Sequence, residues 1–93
     1  MAQDAKQAVA WYRKAAEQGD VGAQYNVGLS YAKGEGVTQD YQQAYAWLSV
    51  AAANGYSGAS EPRDLIAKKL SQSQLAAAQQ LAGQYFEKYQ PRR

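Results

Sequence analysis

The sequence predicts an all-α fold built from repeated helical hairpins, and three observations support this prediction. The 93-residue chain is rich in alanine, the residue with the highest helix propensity, and it contains only two prolines. Its apolar residues recur at intervals of three and four, which is the spacing of one helix face. A segment near the N-terminus also recurs 36 residues later. A chain of this length forms one small domain.

The internal repeat is clear when residues 3–23 are aligned with residues 39–59. Without a gap, 11 of 21 positions are identical, and they include Trp11 with Trp47 and two consecutive alanines in each copy. A period near 36 residues is about the length of one helical hairpin in repeat proteins. The repetition therefore indicates hairpins that stack on one another.

Each copy begins with an aspartate that is followed three residues later by a glutamine, the spacing of a capping box. Asp4 and Asp40 are therefore expected to cap helices over about residues 4–18 and 40–54. A glycine after each helix can take the left-handed conformation that ends it, and these are Gly19 and Gly55.

Both tryptophans are predicted to be core residues, because they occupy the same position of an apolar stripe. In the first copy the stripe contains Ala8, Trp11, Tyr12, Ala15 and Ala16. In the second copy it contains Ala44, Trp47, Leu48, Ala51 and Ala52.

A further helix lies between the two copies. Asp20 can cap it, Ala23, Val27 and Tyr31 share its apolar face, and the loop beginning at Gly34 ends it. Gly28 in the middle of this helix lowers helix propensity, so close packing of another backbone is the best explanation for it.

The C-terminal third departs from the repeat. Pro62 is tolerated in the first turn of a helix, so this helix is predicted to begin near Ser60 or Glu61 and to reach Leu70. Ser71 and Gln74 have capping-box spacing and predict a last helix over about residues 72–89. These two helices could cap the apolar end of a stack.

Residues 23–55 resemble a Sel-1-like repeat, a branch of the tetratricopeptide-type solenoids. The matching features are Ala23, Asn26 to Gly28, Tyr31, Gly34, Gly36, Asp40, Tyr41, Ala44, Trp47, Ala51, Ala52 and Gly55. The resemblance implies a right-handed solenoid of antiparallel helix hairpins with about five helices. It divides the chain into a half repeat at 3–18, a full repeat at 20–55, a variant repeat or cap at 57–89 and a flexible tail at 90–93.

Composition disfavours several functions. The chain contains no histidine and no cysteine, so the usual general base, thiol nucleophile and soft metal ligands are missing. Enzyme activity, a metal and a cofactor are therefore not expected. The net charge of +2 is no argument for nucleic acid, and no apolar run is long enough for a membrane span.

The resemblance implies a protein–protein interaction module, an adaptor or scaffold that binds a peptide or a partner helix in a concave groove. The partner-binding residues implied on the first hairpin helix are Tyr25, Asn26, Leu29 and Lys33, and those on the next are Leu65 and Lys69. Tyr25 and Leu29 could instead face a neighbouring helix.

Two further roles are open. The chain could serve as the C-terminal cap of a longer array without a ligand of its own, or it could self-associate through its open N-terminal face. The resemblance suggests a bacterial protein, and both periplasm and cytoplasm are possible.

Overall fold

A computed structural model describes residues 2–90, and within this range the chain is helical and has no β-strand. The predicted all-α fold with about five helices is confirmed. A short 3₁₀ turn at Ser57–Ala59 precedes the fourth helix. The helices are α1 (Ala2–Glu17), α2 (Val21–Lys33), α3 (Tyr41–Ala53), α4 (Ser60–Ala67) and α5 (Gln72–Lys88).

Helices α2 and α3 form the centre of the molecule. α2 packs between α1 and α3, whereas α3 also contacts α4 and α5. The core lies at these contacts, and its completely buried large side chains are Val27, Trp47, Leu48 and Val50, together with the polar Gln24. The apolar stripe predicted for the second copy of the repeat is therefore the core-facing side of α3.

Most of the predicted helix ends are present. The Asp20 carboxylate accepts from the backbone N–H of Ala23 at 2.8 Å, and the Asp40 carboxylate accepts from that of Gln43 at 3.1 Å. Both bonds of the capping box between Ser71 and Gln74 are formed. The predicted glycines that follow helices have positive φ angles: Gly19 at 97°, Gly34 at 73° and Gly55 at 101°.

Two predicted helix ends are wrong. Asp4 does not cap α1, because the helix begins at Ala2 and Asp4 lies within its first turn. There its negative charge interacts favourably with the helix dipole. α4 ends at Ala67 and not at Leu70. The N–H groups of Lys69 and Leu70 bond to carbonyls three residues back, which tightens the chain before Ser71 starts α5. Pro62 lies in the first turn of α4, as predicted.

Trp11 is not in the core, and this part of the prediction is also wrong. Trp47 is completely buried beneath Tyr85 of α5 and Tyr89, which follows that helix, with ring centroids 4.8 and 5.3 Å away. Trp11 is 71% exposed, because no described element covers the corresponding side of α1. Tyr12 beside it is 41% exposed. The tail predicted at 90–93 lies outside the described residues except for Gln90.

Candidate interaction surface

Helix α2 carries four of the six predicted partner-binding residues. Tyr25, Asn26 and Leu29 are half-buried and Lys33 is exposed, whereas the opposite side of α2 is buried against α1 and α3. We call these four residues, together with Leu65 and Lys69, the concave surface, after the groove that the sequence analysis predicts.

Tyr25 has a partner within the molecule. Its ring stacks on that of Tyr56, which follows α3, with centroids 4.5 Å apart and planes 19° apart. Leu29 packs at the edge of the core. Part of each side chain therefore faces a neighbouring segment, as the alternative interpretation of the sequence held, and the remainder is open to solvent.

The polar side chains of the concave surface differ in whether they already have a partner within the chain. The amide nitrogen of Asn26 donates to the Gly22 carbonyl at 3.1 Å, so this donor already has a partner. Lys33 forms no ion pair with any described residue. Its ammonium group is therefore open to a carboxylate of a partner.

The α4 part of the concave surface is also accessible. Leu65 is 56% exposed, which is a large fraction for a leucine in a small domain. Lys69 follows α4 in the turn before α5, and its ammonium nitrogen lies 5.9 Å from the centre of the Tyr41 ring. A cation over an aromatic ring is weakly stabilised there, and Lys69 remains exposed.

A depression of about 230 Å³ lies between α1 and α2, and we call it the N-terminal groove. From α2 it is lined by Asn26, Leu29, Ser30 and Lys33, three of which belong to the predicted set. From α1 it is lined by Ala5, Ala8, Val9 and Tyr12, and Glu35 of the α2–α3 loop also lines it. The sequence analysis placed Ala8 and Tyr12 on the apolar stripe of α1 and so missed the groove.

The groove is held open by contacts at the two ends of α1. Near its start, Gly36 of the α2–α3 loop approaches the Ala5 carbonyl so closely that a side chain would not fit. Further along, Arg13 donates to the Tyr31 hydroxyl at 2.7 Å and lies 3.5 Å from the Glu17 carboxylate. Burial alone would lower the pKa of Arg13, but Tyr31 and Glu17 outweigh it and raise the pKa, so the guanidinium stays charged.

Gln24 was missed by sequence reasoning, although it organises several helix ends. Its side chain is completely buried, and its amide nitrogen donates to the carbonyls of Ala16 at 3.1 Å and Tyr89 at 2.9 Å. Its oxygen accepts from Asn54 at 3.3 Å. The repeat gave no signal for it, since the equivalent position in the next copy is Ser60.

Within residues 2–90 no cluster of three potential metal-ligating side chains is present. No helix among the described residues is long and apolar enough to cross a membrane.

The family comparison agrees with this architecture. The Sel1 repeat model matches residues 1–20 and 21–56, which together are more than half of the chain. The chain therefore belongs to the Sel1 repeat family. Repeats of this family typically mediate protein interactions, and the family consists generally of non-enzymatic scaffolds.

A solved structure gives the same fold. It is a protective antigen present in uropathogenic Escherichia coli strains, and it displays a Sel1-like repeat fold. The two proteins are 45% identical, with a TM-score of 0.88 over 91% of this chain. The chain spans only 18% of the length of that structure. No curated protein sequence matches the chain.

Proposed function

We propose that this chain is a protein–protein interaction module whose concave surface binds a peptide or a partner helix. The observation that carries the proposal is the accessibility of these side chains on α2 and α4: Leu29 is half-buried, and Lys33, Leu65 and Lys69 are exposed. Accessible leucines together with exposed lysines suit an amphipathic partner that carries carboxylates.

The arrangement of α2 fixes what this surface can offer. Tyr25 is held in place by its stack on Tyr56, so its ring is pre-ordered and loses little freedom on binding. Lys33 lies two turns further along the same helix, where it can meet a charge at the other end of a short partner segment. These features support recognition of an extended peptide or a helix of a few turns.

A second role, as the C-terminal cap of a helical array, is favoured by one observation on α5. The outer side of this helix is polar, since Gln79, Gln80, Gln84 and Glu87 are all exposed, while Ala78 is completely buried. A polar outer side on the last helix is what a capping repeat requires. This role does not need a ligand, and it is compatible with binding at the concave surface.

The interaction module is tested by affinity capture from a lysate of the source cells with a Lys33→Glu, Leu65→Gln double variant. Both side chains are accessible, so the variant is expected to stay as helical as the wild type. Lys14→Glu is the matched control, because it makes the same charge change at an exposed lysine on α1 outside the concave surface. A partner that binds the wild type and the control but not the double variant supports the proposal. Equal capture by all three contradicts it.

A further inference from the structure

The N-terminal groove repeats a site that is filled elsewhere in the same chain. A shift of 36 residues turns Ala8 and Tyr12 of the groove into Ala44 and Leu48 of α3. Ala44 and Leu48 are completely buried, whereas Ala8 is exposed and Tyr12 is 41% exposed. The α1 wall of the groove is thus equivalent, in the repeat, to a surface of α3 that another helix covers.

The helix that covers this surface of α3 is α2. A Cβ atom placed on Gly28 would lie 2.7 Å from Leu48 Cγ and 3.2 Å from its backbone nitrogen, so α2 approaches α3 this closely because it carries glycine there. The side of α1 that corresponds to Leu48 is occupied by the larger Tyr12. A helix docking there therefore also needs a glycine or alanine opposite the ring.

The second wall of the groove sets further requirements. Leu29 gives an apolar surface, and the Ser30 hydroxyl already donates to the Asn26 carbonyl at 3.0 Å. The wall thus favours apolar contact over new hydrogen bonds. Lys33 and Glu35 add one positive and one negative charge to the lining of the groove.

We propose that the N-terminal groove binds an amphipathic α-helix of the same type as α2, namely the first helix of another Sel1 repeat, with a small residue facing Tyr12. The groove shares Asn26, Leu29 and Lys33 with the concave surface, but it does not depend on a partner binding there. Its own determinants are Ala8 and Tyr12 on α1. Recognition depends on shape complementarity, because the Tyr12 ring packs into the space that a glycine without a side chain leaves on the bound helix.

The test uses a fluorescent peptide with the sequence of residues 20–34, which contains α2 and its two capping residues. We expect saturable binding to the full chain by fluorescence anisotropy, with a gain in far-ultraviolet helix signal, because a peptide this short is barely helical alone. A peptide with Gly28→Leu is expected to bind about tenfold more weakly or worse, since its side chain meets Tyr12. A scrambled peptide controls for composition.

Two chain variants show whether binding occurs in the groove. Ala8→Arg fills the groove from an exposed position, so it is expected to abolish binding while the chain stays folded. Ala10→Arg makes the same change at an exposed alanine of α1 that does not line the groove, and it is expected to leave binding unchanged.

Three results would overturn the proposal. The wild-type chain could fail to bind the peptide while it remains folded. Ala8→Arg and Ala10→Arg could bind the peptide equally, which would mean that the peptide replaces the chain's own α2. A dimer that Ala8→Arg dissociates, without peptide binding, would show that a second copy is the occupant. In each case capture of a partner by the concave surface would be tested separately through Leu65, which does not line the groove.

Discussion

The side-chain amide of Gln24 donates to the backbone carbonyl of Tyr89 at 2.9 Å, a bond that joins two residues 65 positions apart. The same nitrogen donates to the carbonyl of Ala16. One buried side chain on α2 therefore satisfies carbonyls at the C-terminal ends of both α1 and α5. The Ala16 carbonyl also accepts from the backbone N–H of Gly19 at 3.0 Å. Loss of the Gln24 amide would therefore cost free energy chiefly by removing the partner of the Tyr89 carbonyl and of the Asn54 amide.

Replacement of Gln24 should consequently be among the most destabilising polar substitutions in the chain. Gln24→Met keeps the approximate shape but removes the donors, and we expect the free energy of unfolding to fall by about 1–3 kcal/mol. Urea unfolding followed by circular dichroism measures the change. Gln79→Met, at an exposed position of α5, should shift the free energy by no more than about 0.5 kcal/mol. Similar losses for the two variants would mean that the buried amide contributes nothing specific.

The two tryptophans should differ sharply although they occupy equivalent repeat positions. Trp47→Ala is expected to cost about 3–5 kcal/mol, which is a large part of the stability of so small a domain. Trp11→Ala should change stability by about 0.5 kcal/mol or less, since its ring is mostly in water. Thermal unfolding gives the stabilities.

Fluorescence of single-tryptophan variants checks the same contrast without unfolding the chain. With Trp11→Phe, the remaining Trp47 should resist quenching by acrylamide. With Trp47→Phe, the exposed Trp11 should be quenched readily. Shielding of Trp11 from acrylamide in the isolated chain would contradict its exposure and would mean that another segment or molecule covers this side of α1.

Two mid-helix glycines should respond to alanine in opposite directions. At Gly28 the new Cβ would lie 2.7 Å from Leu48 Cγ, so Gly28→Ala should destabilise the α2–α3 contact by about 1–3 kcal/mol. At Gly83 nothing lies within 4 Å of a new Cβ, and Gly83→Ala should stabilise α5 by about 0.5–1 kcal/mol. Urea unfolding midpoints of both variants give the signs. A stabilised Gly28→Ala would show that α2 and α3 are not so closely packed.

The capping box of α5 offers a milder prediction. Ser71→Ala removes the hydroxyl that accepts from the backbone N–H of Gln74, and it should lower stability by about 1 kcal/mol. Ser73→Ala is the control on the same turn: this serine is exposed and accepts from no backbone N–H within residues 2–90, and its hydroxyl lies 3.3 Å from that of Ser71. A similar loss of stability for both serine variants would contradict a specific role of the Ser71 cap, because alanine inside a helix has a higher helix propensity than serine.

The helix ends that depend on the repeat and on nearby residues were predicted well from the sequence. The caps at Asp20, Asp40 and Ser71 and the glycines after the helices follow from groups that lie within a few residues of one another. Gly28 could be read as a point of close approach because a glycine inside a helix lowers helix propensity unless packing compensates.

Burial could not be predicted in the same way, because it depends on which neighbour is present. Trp11 and Trp47 occupy equivalent positions of the repeat, and the placement of α5 over Trp47 separates them. Gln24 has no local signature, since its three partners come from α1, from the end of α3 and from the end of α5. The same dependence hid the N-terminal groove, because Ala8 and Tyr12 of its α1 wall were predicted to lie on a buried apolar stripe.

The most direct test of the interaction module uses a photo-crosslinking amino acid at three single positions in separate chains. Lys33 and Leu65 lie on the concave surface, and Gln79 lies on the exposed outer side of α5. Each labelled chain would be irradiated in a lysate of the source cells, and the products identified by mass spectrometry. The account predicts a common crosslinked protein from positions 33 and 65 and none of it from position 79. The same product from all three positions, or a product from position 79 alone, would contradict it.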